Sequence, residues 1–375
     1  MSYFCEGFEH LANLVPHFTP SSGSSTVQIA YNAIEGWQLG EGIEHAPDVS
    51  FPLSATLDFD TSQWAGPTAS DRWTFQFAMN LTPASSGVGL LGGEDQQPLL
   101  SVGNRCGLSL RRDFSDADTG FASSAFDIQF TLNVSGFSLV PIINIPNTRC
   151  LSDGWYYVCF SVVLHSSQGE IELRLYDEFE ELLTSYVATG LNTAGGGVGS
   201  GPNNVSDFAF RTFRGLRLDD LVVRNAEDSV ITTQRVVLPQ TPVADGPTTE
   251  WTSSLGSNFS AVAEEDSLDD ASVVASMVGA RDVYEMSDTP TQVSNSAVIE
   301  FLQVDAIASG PNSGSSNLRL IHELAGGGAT GLTFQPIALT GSSLRASMAT
   351  PVVPLTGANW TKANLDSDFF GMELA

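Results

Sequence analysis

Positive charge is scarce in this sequence. Fifteen Lys and Arg stand against 43 Asp and Glu, which gives a formal net charge of -28, and Lys362 is the only lysine. A field of this sign repels nucleic acid and anionic membranes at long range. We therefore expect neither a nucleic-acid partner nor a position lining a packaged genome.

Long apolar runs and closely spaced cysteines are also missing. No run approaches the roughly 20 residues that span a bilayer, and the N-terminus lacks the basic and apolar segments of a signal peptide. We expect no membrane insertion, and synthesis in a cytoplasm. The four cysteines show no CxxC spacing, which disfavours a zinc site. Cys150 and Cys159 either meet across a short hairpin or remain buried free thiols.

The sequence is instead rich in the residues of short strands and turns. Hydrophobic residues make up 42% and charged residues only 15%, and there are 35 glycines among 375 residues. Helix-rich soluble proteins usually carry more charge on their exposed faces. The composition predicts an all-β protein, and the length favours two domains.

Hydrophobic and polar residues alternate in several segments, which is the pattern of a strand with one dry and one wet face. Trp73, Phe75, Phe77, Met79 and Leu81 alternate with Thr74, Gln76 and Asn80. The same alternation runs through 126–134 and 170–175. Residues 155–164 are apolar on both faces and predict a central strand. Residues 178–183 are the best candidate for a helix in the first domain.

A composition shift after Asn225 indicates a domain boundary. We predict a first domain at 1–228, a linker or extended edge strand at 229–247, and a second β-rich domain at 248–375. Three prolines and a glycine cluster in 239–247. The predicted strands of the second domain are 272–278, 298–304, 317–321, 332–339, 344–350 and 369–374. We also predict a short helix, capped by Asn359, before the last of these strands.

Three segments of the first domain together resemble the laminin-G-like/concanavalin-like jelly roll. Residues 153–158 read DGWYYV, 170–176 alternate, and 218–223 read LDDLVV. In that family the first is a strand of the sheet core and the last closes the sandwich. Residues 5–10, CEGFEH, look like the start of such domains in phage structural proteins, with Glu6 in place of Asp. The resemblance implies a lectin-like jelly-roll β-sandwich followed by a smaller β-sandwich-like domain.

The order of short motifs in the second domain resembles a module that follows lectin-like domains in structural proteins of tailed bacteriophages. These motifs are DGPTTEW at 245–251, EED at 264–266, RDVY at 281–284, LRLI at 318–321 and NWT at 359–361. The resemblance implies a virion component that is made in the host bacterial cytoplasm, assembles with other virion proteins and forms a homo-oligomer. Capsid decoration and a place in the tail tip or fibre both remain open.

Proteins of this fold also include glycoside hydrolases, so catalysis has to be considered. Retaining enzymes need two carboxyl groups about 5–5.5 Å apart. Glu170 and Glu172 share a strand face at roughly that separation. The glucanases of this fold carry an E-x-D-x-x-E pattern, whose third acid is missing here, and we expect Arg174 to pair with a neighbour. We therefore predict a solvated strand face and no enzymatic activity.

Calcium is the one cofactor that the resemblance admits. Asp113, Asp116 and Asp118 form the densest acidic loop and offer the hard oxygen ligands that calcium prefers. The full EF-hand pattern is absent, so an acidic surface loop is the favoured interpretation and a calcium site is the alternative. A second acidic run at 264–270 is interpreted as a solvated loop or a partner contact.

Aromatic residues in irregular segments are the remaining functional candidates. Trp37, Trp64 and Tyr31 could stack on a host surface glycan, as Trp and Tyr do in lectin-like sandwiches, or they could anchor loops onto the core. The sequence favours a structural virion protein displayed on the particle surface. A glycan- or receptor-binding tail module is the alternative, and a polysaccharide-degrading enzyme ranks third.

Overall fold

The computed structural model describes a defined part of the chain. The described residues are 2–6, 31–35, 41–45, 54–60, 72–81, 96–103, 105–113, 125–133, 139–146, 148, 150–151, 154–194, 207–213, 216–225, 237–238, 240–253, 256–262, 273–275, 277–310, 316–331, 337–339 and 344–375. Neither of the helices in these ranges is long and apolar enough to cross a membrane.

The chain divides into two compact units between Val237 and Leu238. The predicted domain borders at 228 and 248 stay predictions, since residues 226–236 lie outside the described ranges.

The first unit is built from strands joined by turns. Its strands are β1 (Ser2–Glu6), β2 (Tyr31–Glu35), β3 (Glu41–His45), β4 (Ser54–Asp60), β5 (Arg72–Leu81), β6 (Gln96–Val102), β7 (Cys106–Asp113), β8 (Ala125–Asn133), β9 (Leu139–Asn144), β10 (Cys150–Leu151), β11 (Trp155–Val163), β12 (Gly169–Asp177), β13 (Leu182–Leu191), β14 (Asp207–Phe213) and β15 (Leu216–Asn225). One sheet has eight strands in the order β13-β12-β11-β5-β15-β3-β2, with β1 also on β15. The other has seven in the order β10-β8-β7-β6-β14-β4, with β9 also on β8.

Aromatic side chains join the two sheets face to face. Phe75 of the larger sheet lies 5.3 Å from Phe208 of the other in an edge-on ring contact, and Phe77 lies 4.9 Å from Phe210. All four rings are buried, and burial of each contributes about 2 kcal/mol. The prediction of an all-β fold with a lectin-like sandwich is therefore confirmed.

The alternating pattern predicted the strand β5 and its core-facing side correctly, but it did not predict the burial of the opposite side. Phe75 and its apolar partners point into the core, whereas Thr74, Gln76 and Asn80 were expected to be wet. All three are buried instead, because this strand lies inside its sheet and its second face is also covered. The central position predicted for β11 is observed, since it pairs with β5 on one side and β12 on the other.

Two open points for the first unit are settled. Residues 178–183, the best candidate for a helix there, form no helix; they make the tight turn between β12 and β13 and the start of β13. Cys150 and Cys159 form no disulfide and are buried free thiols, the second of the two predicted alternatives, and Cys106 is also a buried free thiol. Burial raises the pKa of the Cys106 thiol to about 12 and also raises that of Cys150.

The second unit also consists mainly of strands. They are β16 (Pro242–Thr249), β17 (Thr252–Ser253), β18 (Val273–Val274), β19 (Arg281–Met286), β20 (Leu302–Ala308), β21 (Ser316–Glu323), β22 (Ala329–Gly331), β23 (Ile337–Leu339), β24 (Leu344–Thr350) and β25 (Phe369–Leu374), with the helices α1 (Asn258–Val262) and α2 (Lys362–Leu365). A six-stranded sheet has the order β16-β19-β25-β21-β22, with β23 also on β21, while β17 pairs with β18 and β20 with β24.

The core of the second unit lies between its six-stranded sheet and the segments that cover it. Trp360 is buried there with Leu318, Leu320 and Phe370, and residues of β20 and β24 pack against the same cluster. The Trp360 indole donates a hydrogen bond of 3.0 Å to the carbonyl of Thr350. A small sandwich-like arrangement results, as the sequence predicted.

The strand predictions for this unit were uneven. Segments 344–350 and 369–374 match β24 and β25, but β20 begins only at Leu302, and the described residues of the predicted strand at 272–278 form a strand only at β18. The helix cap is Thr361 and not Asn359, because the Thr361 hydroxyl accepts a hydrogen bond of 3.2 Å from the Asn364 N–H.

Candidate functional site

The two acids considered for catalysis, Glu170 and Glu172, lie on the face of the eight-stranded sheet that points away from the other sheet. Strand alternation sends Ile171 and Leu173 of β12 into the core and the glutamates to the opposite side. We call this side the outer face. Its residues on the three adjacent strands β5, β11 and β12 are Arg72, Thr74, Gln76, Ala78, Asn80, Trp155, Tyr157, Cys159, Ser161, Val163, Glu170, Glu172, Arg174 and Tyr176.

Each glutamate is held by its own arginine. The Arg72 guanidinium lies 2.9 Å from the Glu170 carboxylate and also donates to the Ser161 hydroxyl at 3.1 Å. Arg174 lies 2.9 Å from Glu172 on the same strand. Burial alone would lower the pKa of Arg174, but hydrogen bonding to Tyr176 and the charge of Glu172 raise it. A guanidinium bound to a carboxylate competes with a substrate for its oxygen atoms.

The centre of the outer face is dry and neutral. Thr74 donates to the Ser161 hydroxyl at 3.3 Å, and the Gln76 amide donates to the Cys159 sulfur at 3.4 Å. Ala78, Tyr157 and Cys159 form a small buried cluster. The face therefore combines neutral hydrogen-bonding groups at its centre with ion pairs at its margin.

Aromatic side chains line one end of the same face. Trp155 and Tyr176 are half-buried and pack against the Tyr157 cluster. Asn80, which is opposite Trp155 in the strand register, has a buried side-chain oxygen without a hydrogen-bond partner among the described residues. An aromatic surface beside hydrogen-bonding groups is suited to stacking on a sugar ring. Trp155 and Tyr176 were not among the residues predicted from the sequence, although the aromatic run at 155–157 could have indicated Trp155.

The predicted glycan-binding and calcium residues fall largely outside the described part of the chain. Trp37 and Trp64 lie there entirely, and Tyr31 begins β2 without a described side chain. Asp116 and Asp118 also lie outside, and Asp113 ends β7 without a described side chain. The acidic run at 264–270 is outside as well. Within the described ranges, no three His, Cys, Asp or Glu side chains are grouped so that they could hold a metal ion.

A buried carboxylate in the second unit was not predicted. Asp282 of β19 accepts hydrogen bonds of 2.8 and 2.9 Å from the Asn258 amide at the start of α1, and another from the Tyr284 hydroxyl. The same Asn258 amide donates to the Trp251 carbonyl at 3.0 Å. Burial raises the pKa of Asp282, the hydrogen bonds from Tyr284 and Asn258 oppose that shift, and the charge of Asp245 adds to it. This network fixes α1 against the sheet.

A histidine–aspartate pair is buried in the same unit. His322 Nε2 lies 2.9 Å from the Asp368 carboxylate, and the imidazole contacts the rings of Trp360 and Phe370, each 5.2 Å away. In a catalytic triad the second imidazole nitrogen would bind a nucleophile. His322 Nδ1 has no hydrogen-bond partner among the described residues. The pair thus connects β21 to the segment before β25 and has the geometry of a structural contact.

Comparison with known proteins adds only distant structural likenesses. No protein-family model and no curated protein matches the chain at the sequence level. The CBM2 module of the evolved Dit of Lactobacillus casei BL23 phage J-1 is 11% identical, and the alignment covers 47% of this chain and 71% of that one, with a TM-score of 0.27. Lectin UEA-II in complex with galactose is 9% identical over 59% and 97%, with a TM-score of 0.27.

The receptor-binding domain of botulinum neurotoxin type G is a third structural neighbour. It is 10% identical, covers 56% of this chain and 44% of its own, and has a TM-score of 0.28. At these TM-scores, none of the three neighbours indicates what this chain binds.

Proposed function

We propose that this chain is a structural protein of a tailed-phage virion, displayed on the particle surface and acting through protein–protein assembly without catalysis. The motif order in the second domain supports the virion assignment. The ion pairs of the outer face support the absence of catalysis. Glu170 and Glu172, the two acids that a glycosidase reaction would need, are each bound to an arginine.

Both units contribute to this proposal. A rigid display protein needs stable sheets more than an open cleft, and both units consist of packed antiparallel strands. The strong negative charge keeps a particle surface soluble and disfavours contact with packaged nucleic acid.

Mass spectrometry of gradient-purified particles tests the proposal. The chain should co-purify with intact particles and remain attached after a high-salt wash, because assembly contacts are expected to be largely apolar. Many copies per particle would indicate head decoration, and a handful would indicate the tail tip or fibre. Complete absence from the particles would contradict the virion assignment.

Glycan binding is the second candidate function, and a specific observation favours it. Trp155 and Tyr176 form an aromatic surface beside Asn80 on the outer face. A glycan array should then give a signal that falls at least about tenfold in Trp155→Ala or Tyr176→Ala. Trp37→Ala and Trp64→Ala test the aromatic residues that the sequence predicted. An array without signal for the unaltered protein would reject this candidate and leave the assembly proposal untouched.

A further inference from the structure

The strand β13 ends the eight-stranded sheet and is open to pairing along one side. In the described part of the chain it pairs only with β12. Its ten residues extend over about 34 Å at the usual rise per residue, whereas an average strand has five or six. An edge strand of this length presents a row of backbone N–H and C=O groups to solvent.

The composition of β13 leaves this edge unprotected. Its sequence, LLTSYVATGL, contains no charged residue and no proline. Leu182 is 53% exposed, and Val187, in the middle of the strand, is 56% exposed. Natural proteins usually block such an edge with charge, proline or a bulge. In β13 the register against β12 shifts only near the two ends of the strand, so the stretch 184–189 between them stays regular. The corresponding edge strand of the second unit, β16, does carry blocking features of this kind, since it contains two prolines and Asp245.

The two ends of β13 are well defined and differ in charge. At the first end, the Asp177 side chain accepts hydrogen bonds of 2.9 Å from the N–H groups of Phe179 and Glu181, which fixes the acidic turn before the strand. At the other end, Thr193 donates from its N–H to the His165 carbonyl at 2.9 Å and from its hydroxyl to the Val163 carbonyl. The second end carries no charge in residues 191–194.

We propose that β13 pairs antiparallel with β13 of a second copy of this chain around a twofold axis. Directly opposite residues of an antiparallel pair lie on the same face of the sheet. The twofold axis must therefore place one residue of β13 opposite the same residue of the second copy. With the axis at Val187, that residue faces its own copy and Tyr186 faces Ala188, both within the regular stretch 184–189. The two eight-stranded sheets then continue into one another.

Charge favours a second copy as the occupant. Antiparallel pairing places the acidic end of each β13, at 177–181, against the neutral end of the other, at 191–194. The neutral centre brings uncharged side chains together, which a chain of net charge -28 needs in order to associate with itself. One strand on each side buries less than the roughly 800 Å² per partner of a standard interface, so we expect a dissociation constant in the micromolar range. The inference does not depend on the proposed function.

Sedimentation equilibrium of the full chain tests the inference. The unaltered protein should be dimeric at about 100 µM and dissociate on dilution. Val187→Lys places two like charges directly opposite each other, which should weaken the dimer at least about tenfold. The folded chain tolerates this lysine because position 187 lies opposite Glu172 of β12. Val187→Glu should weaken the dimer in the same way.

Mixing the two charged variants gives the sharpest result. Equimolar Val187→Lys and Val187→Glu should form heterodimers, because the opposed charges now attract across the axis. Val187→Thr keeps a neutral β-branched residue and should remain dimeric. Val298→Lys alters a more exposed valine of the second unit and should also remain dimeric.

Circular dichroism separates loss of pairing from loss of folding. All variants should give the β-rich spectrum of the unaltered chain. An unaltered protein that stays monomeric at about 100 µM would overturn the inference, as would charged variants that dimerise as well as the unaltered chain. A failure of the mixed variants to form heterodimers would exclude a twofold axis at Val187.

Discussion

The two units bury their polar groups in different ways. The outer face of the first unit buries neutral groups, such as Thr74, Gln76 and Ser161, and keeps its ion pairs at a half-exposed margin. The second unit buries ionisable side chains within its sheet and core, among them Asp282 and the His322–Asp368 pair. The first unit also buries Asp219 and Asp220 of β15, so the contrast is between its outer face, which buries no charge, and the second unit, where buried charged groups hold segments in place.

Size gives a physical reason for this contrast. The first unit packs two large sheets through aromatic rings, and a larger domain buries a greater fraction of its surface. The second unit has one six-stranded sheet, and short segments cover it. Hydrogen bonds such as those from Asn258 to Asp282 hold these segments in place. We therefore expect substitutions at buried polar contacts to affect the second unit more than the first.

The largest effect is expected at Gly371 of β25, where a side chain has no room against β19. A Cβ atom at this position would collide with the Asp282 carbonyl oxygen and lie 2.7 Å from the Val283 Cα. Gly371→Ala should lower the free energy of unfolding of this unit by about 3 kcal/mol, because backbone atoms cannot move aside without separating β19 and β25. Hydrogen exchange of the full chain, measured peptide by peptide, should show faster exchange confined to the second unit.

Gly326→Ala is the matched control for that substitution. A Cβ at Gly326 meets nothing within 4 Å, so exchange should be unchanged. Equal exchange rates in Gly371→Ala and the unaltered protein would show that the sheet is looser than its geometry indicates.

The next largest effect is expected at the buried histidine–aspartate pair. His322→Leu leaves the Asp368 carboxylate buried without its partner and should lower the free energy of unfolding by about 2 kcal/mol. The double variant His322→Leu/Asp368→Leu removes both polar groups and should recover part of that loss. Urea titration with the same exchange readout measures both values. A double variant less stable than the single one would show that the pair does more than satisfy its own polar atoms.

A pH experiment sharpens the comparison further. The raised pKa of Asp282 means that the folded second unit binds a proton at pH values where the unfolded chain has already released it. Stability from this group is therefore fully present below the unfolded-state pKa of about 4 and decreases as the pH rises through the folded-state pKa. Asp282→Asn should flatten the dependence of second-unit unfolding on pH above about 4. Parallel pH curves for Asp282→Asn and the unaltered protein would contradict this assignment.

The smallest effect is expected at the margin of the outer face. Glu170→Gln removes the partner of Arg72, and both side chains of this ion pair are partly exposed. The free energy of unfolding of the first unit should fall by only about 0.5 kcal/mol, and less in high salt. Arg72→Gln should give a similar value. If Glu170→Gln lowered the free energy of unfolding as much as His322→Leu does, the proposed contrast between the two units would be wrong.

The sequence predicted strands better than their surroundings. Alternation in 72–81 located β5, because side chains in a strand point to opposite sides whatever covers them. The same pattern could not reveal that Gln76 and Thr74 are buried too, since burial of the second face depends on segments distant in sequence. The prediction for 229–247 left open a linker or an extended edge strand, and Pro242–Thr249 form the edge strand β16, where proline is tolerated.

The buried polar residues of the second unit were harder to find from the sequence. His322 does follow Leu318 and Leu320 at alternate positions, which places it on the apolar side of β21 and could have indicated its burial. Asp282 gave no such signal, because its partners Asn258 and Tyr284 are recognised only once α1 is placed against the sheet. On the outer face, the arginine that binds Glu170 comes from β5, 98 positions away in sequence.

The native cysteines can be used to measure transient opening of the first unit. Cysteine is absent from residues 238–375, while Cys106, Cys150 and Cys159 are buried in the first unit. Alkylating reagents attack the thiolate, which burial makes scarce at Cys106 and Cys150. Modification at Cys106 and Cys150 therefore records transient opening of the first unit, without any engineered label and without interference from the second unit.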